Sequence, residues 1–406
     1  MGDELSKGRI SFGVLAAFCA GLLAIGLARF AYTPLLPALI GARWFTAGAA
    51  AYLGAANLIG YLAGAMLARR LAARASSAVL LRLMMVLATL SFFACAAPVS
   101  FIWFFFWRFV SGLTGGVLMV VAAPSVLAHV PHTQRGRAGG FIFAGVGIGI
   151  IAAGTLVPAL IRHGLSTAWL GLGGLALLLT IIAWFGWLPD HHARFAGLSQ
   201  PESPPVATGL WPLYLCYGLV AVGLVPHMLF LVNFIARGLH EGIETGAHYW
   251  VLFGVGAVFG PMVNGRLADR IGFQRALMLA FIIIGLAVLL PVISDTALAL
   301  GLSSLIVGGY TPGIALLALG RIHELRPCDI AGQKAAWGMA TIAFALFQAG
   351  AAYGLSFLFA HHSGYDALFG LGAGALTLAL LIDRATIRQP HSLSLDQIGR
   401  SPGVHK

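Results

Sequence analysis

Apolar runs of about 18 residues or more follow one another along the whole chain, separated by short polar or basic stretches. A run of that length predicts a helix long enough to cross a lipid bilayer. Twelve can be drawn, at about 11–40, 45–68, 77–97, 100–128, 139–161, 167–188, 210–236, 247–267, 276–294, 297–322, 331–359 and 364–384, spans 1 to 12 in chain order. The longest polar interruption, "LPDHHARFAGLSQPESPPVATG" from Leu188 to Gly209, is rich in Pro, Ser and charge and parts six spans from six. The pattern predicts an all-α polytopic membrane protein. One six-helix bundle occupies 1–188, a cytoplasmic linker 189–209, a second six-helix bundle 210–390 and a cytoplasmic tail 391–406.

Composition agrees with this pattern. Of 406 residues, 59 % are hydrophobic and 9 % charged, and mean hydropathy is +0.92. A water-soluble domain of this length could not hide so many apolar side chains. The net charge of +11 suggests nucleic acid until the charges are placed. With a cytoplasmic N-terminus, 19 of the 24 Lys and Arg residues fall in inward segments and three, Arg43, Arg162 and Arg237, in outward loops. That one-sided excess is the signal that orients membrane helices. The basic balance is therefore topogenic. It predicts cytoplasmic termini and implies no nucleic-acid partner.

Four cysteines, Cys19, Cys95, Cys216 and Cys328, are scattered without paired spacing, which fits neither a disulfide framework nor a metal site. The opening "MGDELS" matches a myristoylation pattern, but short matches arise by accident and twelve spans need no lipid anchor. No cleavable leader is expected ahead of span 1, which reads as a retained membrane segment. The glycine run "GVGIGIIAAG" from Gly145 follows no strand and carries no Lys-Ser/Thr, so it is not a nucleotide loop. Small residues there allow helices to approach closely. No cofactor or catalytic centre is expected, and the chain does not read as an enzyme.

Features recur on the two sides of the linker. "GYLAGAMLARRL" from Gly60 follows span 2 and "GRLADRIGFQRAL" from Gly265 follows span 8; "RFVSGLTGG" spaces Arg108, Gly112 and Gly116 by four in span 4, as "LIVGGYTPG" spaces Leu305, Gly309 and Gly313 in span 10. Such weak duplication is the mark of a transporter built from repeats. "GRLADRIGFQRAL" matches in full the loop motif of the major facilitator superfamily, "RFVSG…G" resembles that superfamily's arginine motif in its fourth helix, and "GLARFAYTPLLPAL" (Gly26 to Leu39) resembles the first-helix signature of its YbfB/YjiJ group. The resemblance covers the whole chain. It implies two six-helix bundles around a central cavity lined mainly by helices 1, 4, 7 and 10, alternating access by rocking, and a monomer. It also implies a gate in which the loop carboxylate locks the cytoplasmic side with nearby arginines. Gly64 stands where the first-half motif has its Asp, so the lock would rest on Asp269 with Arg270 and Arg275. Asp269 near the N-terminus of helix 5 would meet a positive helix dipole and could pair with Arg135 or Arg137.

Two basic residues, Arg29 and Arg108, fall inside spans. Arg29 lies 11 residues, roughly 16 Å, from the outer end of span 1, and Arg108 roughly 12 Å below the same surface in span 4. A charge at such depth costs at least about 2.5 kcal/mol and faces the bundle interior. None of the 13 Asp and Glu residues lies deep in a span. The counter-charge must then come from water, backbone carbonyls or the transported molecule. Fixed positive charge without fixed negative charge selects anions, and arginine grips carboxylate or phosphate through two parallel hydrogen bonds. Arg29 shares a helical face with Tyr32 and Thr33, while Pro34 and Pro37 free backbone carbonyls nearby. Arg108 either meets substrate or serves structure through backbone carbonyls. His227, after Pro226 in span 7, either carries a proton or packs against a hydrogen-bond partner, the commoner fate of a lone buried histidine. Tyr310 and Thr311, before Pro312 in span 10, are candidate donors to substrate. Trp337, Thr341 and Gln348 share a face of span 11, a stripe that usually means packing, and Asn57 in span 2 reads as interhelical glue.

The leading expectation is a secondary transporter of a small organic anion, a carboxylate, in a bacterial inner membrane, with drug efflux as the alternative. The missing intramembrane carboxylate argues against cationic drugs and against an Asp or Glu proton relay.

Overall fold

A computed structural model describes residues 2–127, 129–131, 135–187, 210–326, 329–362 and 364–387. The linker at 189–209 and the tail at 391–406 lie outside these residues. Among the described residues, twelve helical segments are long and apolar enough to cross a membrane. In chain order they are α1 (Gly2–Gly21, continued by Leu22–Leu27 and Tyr32–Gly41), α2 (Ala47–Arg74), α3 (Ser77–Ala94), α4 (Phe101–Leu127), α5 (Arg135–Ile161) and α6 (Leu165–Trp184). After the linker come α7 (Trp211–Val225, continued to Gly238), α8 (Gly242–Ile271), α9 (Phe273–Ile293), α10 (Ala297–Leu325), α11 (Ile330–His362) and α12 (Asp366–Ile387).

Local chemistry sets several of the joints. Thr46, Ser76 and Thr296 take extended backbone and accept the N–H three residues on, capping α2, α3 and α10. Gly272, at φ 84°, both ends α8 and begins α9, a conformation that costs a side-chain-bearing residue far more than glycine. The Glu324 carboxylate from α10 then accepts the Phe273 N–H at 2.8 Å and caps α9.

Each half is built on one tight pair, α2 on α4 and α8 on α10. Gly60 and Gly64 rest on the carbonyls of Phe109 and Leu113, and Gly256 and Gly260 rest on those of Leu305 and Gly309, each position 196 further along (60 to 256, 109 to 305). This packing corrects the alignment read from sequence. Gly60 and Gly64 do not follow the second helix but lie within it, since α2 runs on to Arg74. On the same offset the counterpart of Asp269 is Ala73, not Gly64. The helix 4 repeat also moves by one, because Gly112 on the Asn57 carbonyl corresponds to Gly308 on that of Phe253. Glycines four apart are what close helix contact requires, so a packing motif imitated the loop motif. The first half still lacks the carboxylate.

The halves meet along α5 with α8 and along α2 with α11. Among the described residues, every hydrogen bond, ion pair and ring contact between the halves lies from mid-depth to the arginine-poor end, the end holding the 42–46 loop. They include Arg162–Glu244 at 2.6 Å, Tyr52 against Tyr353 at 6.0 Å, and Phe30 against Trp250 and Phe253.

Candidate functional site

Helix α1 does not cross as one regular helix. Leu22–Leu27 form a π-helical turn, and residues 28–31 form a turn before the helix resumes at Tyr32. Ala28 N–H bonds to Leu23 O and Phe30 N–H to Ile25 O, five residues back instead of four. Pro34 and Pro37 lack the N–H groups that would continue the ladder. The interruption leaves the Ala28 carbonyl facing α4, and Arg108 fills that gap. Arg108 Nη1 donates to Ala28 O at 2.8 Å, Ser111 Oγ reaches the same oxygen at 3.4 Å, and the Tyr32 ring lies 4.3 Å from the guanidinium carbon. Asn57 on α2 donates to Arg108 O and Ser111 Oγ. Arg108 is 3 % exposed. Its geometry is that of a brace across a broken helix, held by a carbonyl and a ring face, with its Nε, like that of Arg29, buried without a partner among the described residues.

Arg29, one residue beyond that carbonyl, turns toward the other half. Its Nη2 donates to Gln348 Oε1 of α11 at 2.6 Å, its Cζ lies 5.3 Å from the rings of Phe30 and Tyr61, and its Nε is buried without a partner. Gln348 Nε2 points to Met228 Sδ of α7 at 3.5 Å, and Thr33 Oγ1 donates to Met228 O. Met228 belongs to a second π turn, Pro226–Phe230. One closed circuit therefore joins α1, α11 and α7 at the depth where both α1 and α7 depart from α-helix. Beside it lies a narrow cleft, with room for about one water, bounded by Arg29, Phe30, Gly54, Asn57, Met228 and neighbouring leucines. One turn along α1, toward the arginine-rich end, a second gap with room for about one water is walled by Ala20, Ala24, Ile25, Met119, Ile142 and Phe143, with only apolar side chains among its lining residues.

The remaining candidates fall in different places. Arg29, Tyr32 and Thr33 do not share a face: Tyr32 sends its hydroxyl to Ala50 O of α2 at 2.6 Å, while Thr33 bonds α7. The turn at 28–31 changes the rotation that an unbroken helix would keep. His227 is fully buried inside the second half, with Nε2 at 2.7 Å from Ser303 Oγ and its ring edge-on to Phe369. Ser303 donates its one proton to Ala287 O, so His227 Nε2 carries the proton of that bond. The Thr311 hydroxyl returns to Val307 O of its own helix. Tyr310 is buried in α10. Asp269, Arg270 and Arg275 are exposed at the arginine-rich end, where Asp269 has no ion pair among the described residues; the side chains of Arg135 and Arg137 lie outside those described.

Three residues around Arg29 escaped sequence reading as site residues: Met228 and Gln348 of the circuit, and Tyr61 of α2. Gln348 carried a usable signal. It stands 14 residues from the end of α11 at His362, and Arg29 12 from the end of α1 at Gly41, about 21 and 18 Å below one surface.

With this geometry in hand, comparison with known proteins gives a consistent picture. A family model described as uncharacterised MFS-type transporter YbfB matches residues 21–384. Relatives include a 3-(3-hydroxy-phenyl)propionate transporter of Escherichia coli K12, 29 % identical over 237 residues (54 % of this chain and 56 % of that one). A gallate transporter of Pseudomonas putida is 26 % identical over 247 residues, covering 52 % and 54 %. The chain thus spans about half the length of these curated relatives. A crystal structure of a D-xylose-proton symporter superposes with a TM-score of 0.72 at 15 % identity, over 92 % of this chain and 97 % of that one, a likeness of fold alone.

Proposed function

The chain belongs to the YbfB-type family of major facilitator superfamily transporters and is a multi-pass membrane protein; on that footing we propose that it moves a small organic anion, an aromatic carboxylate, across a bacterial inner membrane. The observation that carries the reading is Arg29. It is a guanidinium at mid-membrane whose partners are a neutral amide and two rings, with a buried Nε left over. An uncompensated charge in such a place is costly, and an anionic substrate removes the cost while it is bound. The side chains lining the water-sized gap one turn away are all apolar, a lining that would receive an arene more readily than a sugar if the helices part there. Names of two relatives support the same class: both are described as transporters of aromatic carboxylates.

In this reading Arg29 binds the carboxylate and Arg108 keeps the broken helix in shape so that Arg29 can reach it. Cytoplasmic closure engages Asp269 with Arg135 or Arg137. Alternating access exposes the site to either side, with the arginine-rich end cytoplasmic. Efflux of hydrophobic drugs draws no support from the relatives described, and no feature of the site favours it.

The test is flux of radiolabelled 3-(3-hydroxyphenyl)propionate into liposomes holding the purified full chain. Saturable flux, competed by gallate but not by its uncharged methyl ester and lost in Arg29→Ala, is the expected result. Absence of flux for every carboxylate in a panel, beside saturable flux of a neutral or cationic solute, would overturn the reading.

A further inference from the structure

We infer that Gln348 is a neutral placeholder for the substrate's carboxylate: it occupies one tooth of the anion-binding edge of Arg29 and is displaced when the anion arrives. The inference rests on the reading of Arg29 as the anion site and goes beyond it by naming the residue with which substrate competes.

The guanidinium is planar, and the N–H bonds of Nε and Nη2 point the same way along one edge, the edge that a carboxylate engages with both oxygens. Here Nη2 donates to Gln348 Oε1 at 2.6 Å while Nε, on that same edge, is buried and has no partner. An amide has a single oxygen and can fill only one of the two positions. Because arginine has no acceptor, the amide must turn its oxygen to Arg29. Its nitrogen is left with Met228 Sδ at 3.5 Å, a weak acceptor. Gln348 is 2 % exposed, so no bulk water completes either group. The edge is therefore half satisfied, aimed across the boundary between the halves, and adjoins the cleft that Phe30, Gly54, Asn57 and Met228 border. A carboxylate would satisfy both N–H groups through bonds about twice as strong as those of a neutral acceptor. The amide is displaced and the bond between α1 and α11 is broken.

A glutamate at 348 would fill both teeth permanently and neutralise the site, which accounts for an amide where a buried arginine would ordinarily have a carboxylate. Displacement also ties binding to movement. Arg29–Gln348 is one of the few direct bonds between the halves, and substrate removes it by taking its donor.

The experiment measures binding to the purified full chain by melting temperature and by isothermal titration, with 3-(3-hydroxyphenyl)propionate and gallate as probes and methyl gallate as the uncharged control. Wild type, Gln348→Leu, Gln348→Glu and Arg29→Ala are compared. Gln348→Leu removes the competitor and should tighten binding roughly 2- to 10-fold. Gln348→Glu should raise the melting temperature of the unliganded protein and lose anion binding. Wild-type affinity in Gln348→Glu, or loss of binding in Gln348→Leu as complete as in Arg29→Ala, overturns the placeholder and leaves the anion site standing. Failure of both carboxylates to bind wild type overturns both. Should Gln348→Glu not fold, the affinity of Gln348→Leu alone decides, because a merely structural glutamine gives weaker binding when removed.

Discussion

Two arginines lie within one helical turn of each other in depth, and their surroundings give them different tasks. Arg108 ends on a backbone oxygen that a helix break has released, with a tyrosine face against it. Its removal leaves Ala28 O short of its best donor in a buried place, a loss of about 1–3 kcal/mol. Arg108→Ala should therefore lower the melting temperature of the unliganded protein and weaken all ligands together. Arg29→Ala removes a charge whose only hydrogen bond is to an amide. It should leave the melting temperature near wild type, or raise it, while abolishing stabilisation by carboxylates. Thermal unfolding of both variants with and without 3-(3-hydroxyphenyl)propionate separates the tasks, and equal losses of ligand-free stability would show that Arg29 is a brace as well. The sequence alone made these residues candidates together, because charge and depth are legible from spacing. What distinguishes them is the direction each side chain takes, and that depends on a turn at 28–31 that no periodicity announces. The same turn dispersed Tyr32 and Thr33, which a regular helix would have set beside Arg29.

At the scale of helices, the long apolar runs were legible to within a few residues: span 4, read at 100–128, is Phe101–Leu127, while spans 2 and 8, read at 45–68 and 247–267, run on to Arg74 and Ile271. Continuous hydrophobicity over a bilayer's thickness leaves little choice of element. Departures from regular helix were not legible, although Pro34, Pro37 and Pro226 marked where the ladder must fail. The π turn in α1 uses a small residue for close approach. Ideal Cβ atoms on Gly26 of α1 and Gly149 of α5 would each come within 2.6 Å of the other glycine's Cα, so the π turn of α1 is seated against α5 with no room for a methyl group. Gly149→Ala must push α1 aside or strain it, at a cost of about 1–3 kcal/mol. Because the displaced segment carries Ala28 and Arg29, we expect carboxylate affinity to fall with stability. By contrast Gly350 of α11, with no atom within 4 Å of an ideal Cβ, should accept alanine with both properties unchanged. Melting curves and binding isotherms for the two variants test the contrast; a harmless Gly149→Ala would show that α1 moves freely against α5.

Across the whole molecule, the bonds and ring contacts between the halves gather from mid-depth to the arginine-poor end, so this structure is sealed on that side. The seal combines an exposed ion pair, Arg162–Glu244, worth at most about 1 kcal/mol, with close contacts of partly exposed residues, Gly48 against Ala360 and Tyr52 against Tyr353. At the same end Tyr365 follows α11, its hydroxyl accepting from Asn233 Nδ2 at 2.8 Å; burial pushes the phenol up to about 12 despite nearby Arg237. It thus stays an uncharged part of the closure at physiological pH. A transporter that alternates must part these surfaces once per cycle, and a covalent link between them should stop it. An ideal Cβ on Gly48 falls 2.6 Å from Ala360 Cβ, about 1 Å inside the usual disulfide separation of about 3.8 Å, a gap that small adjustments of two helix ends can supply. Cys19, Cys95 and Cys216 are buried and do not compete; Cys328→Ser makes the background clean. In that background, Gly48→Cys with Ala360→Cys should form a disulfide under mild oxidation, detectable by altered gel mobility after cleavage within 189–209. The oxidised protein should carry no flux in liposomes, recover it on reduction, and leave each single-cysteine variant active throughout. Flux that persists through a demonstrated cross-link would mean that substrate passes without the two halves separating at this end, and rocking of the bundles would have to be abandoned for this protein.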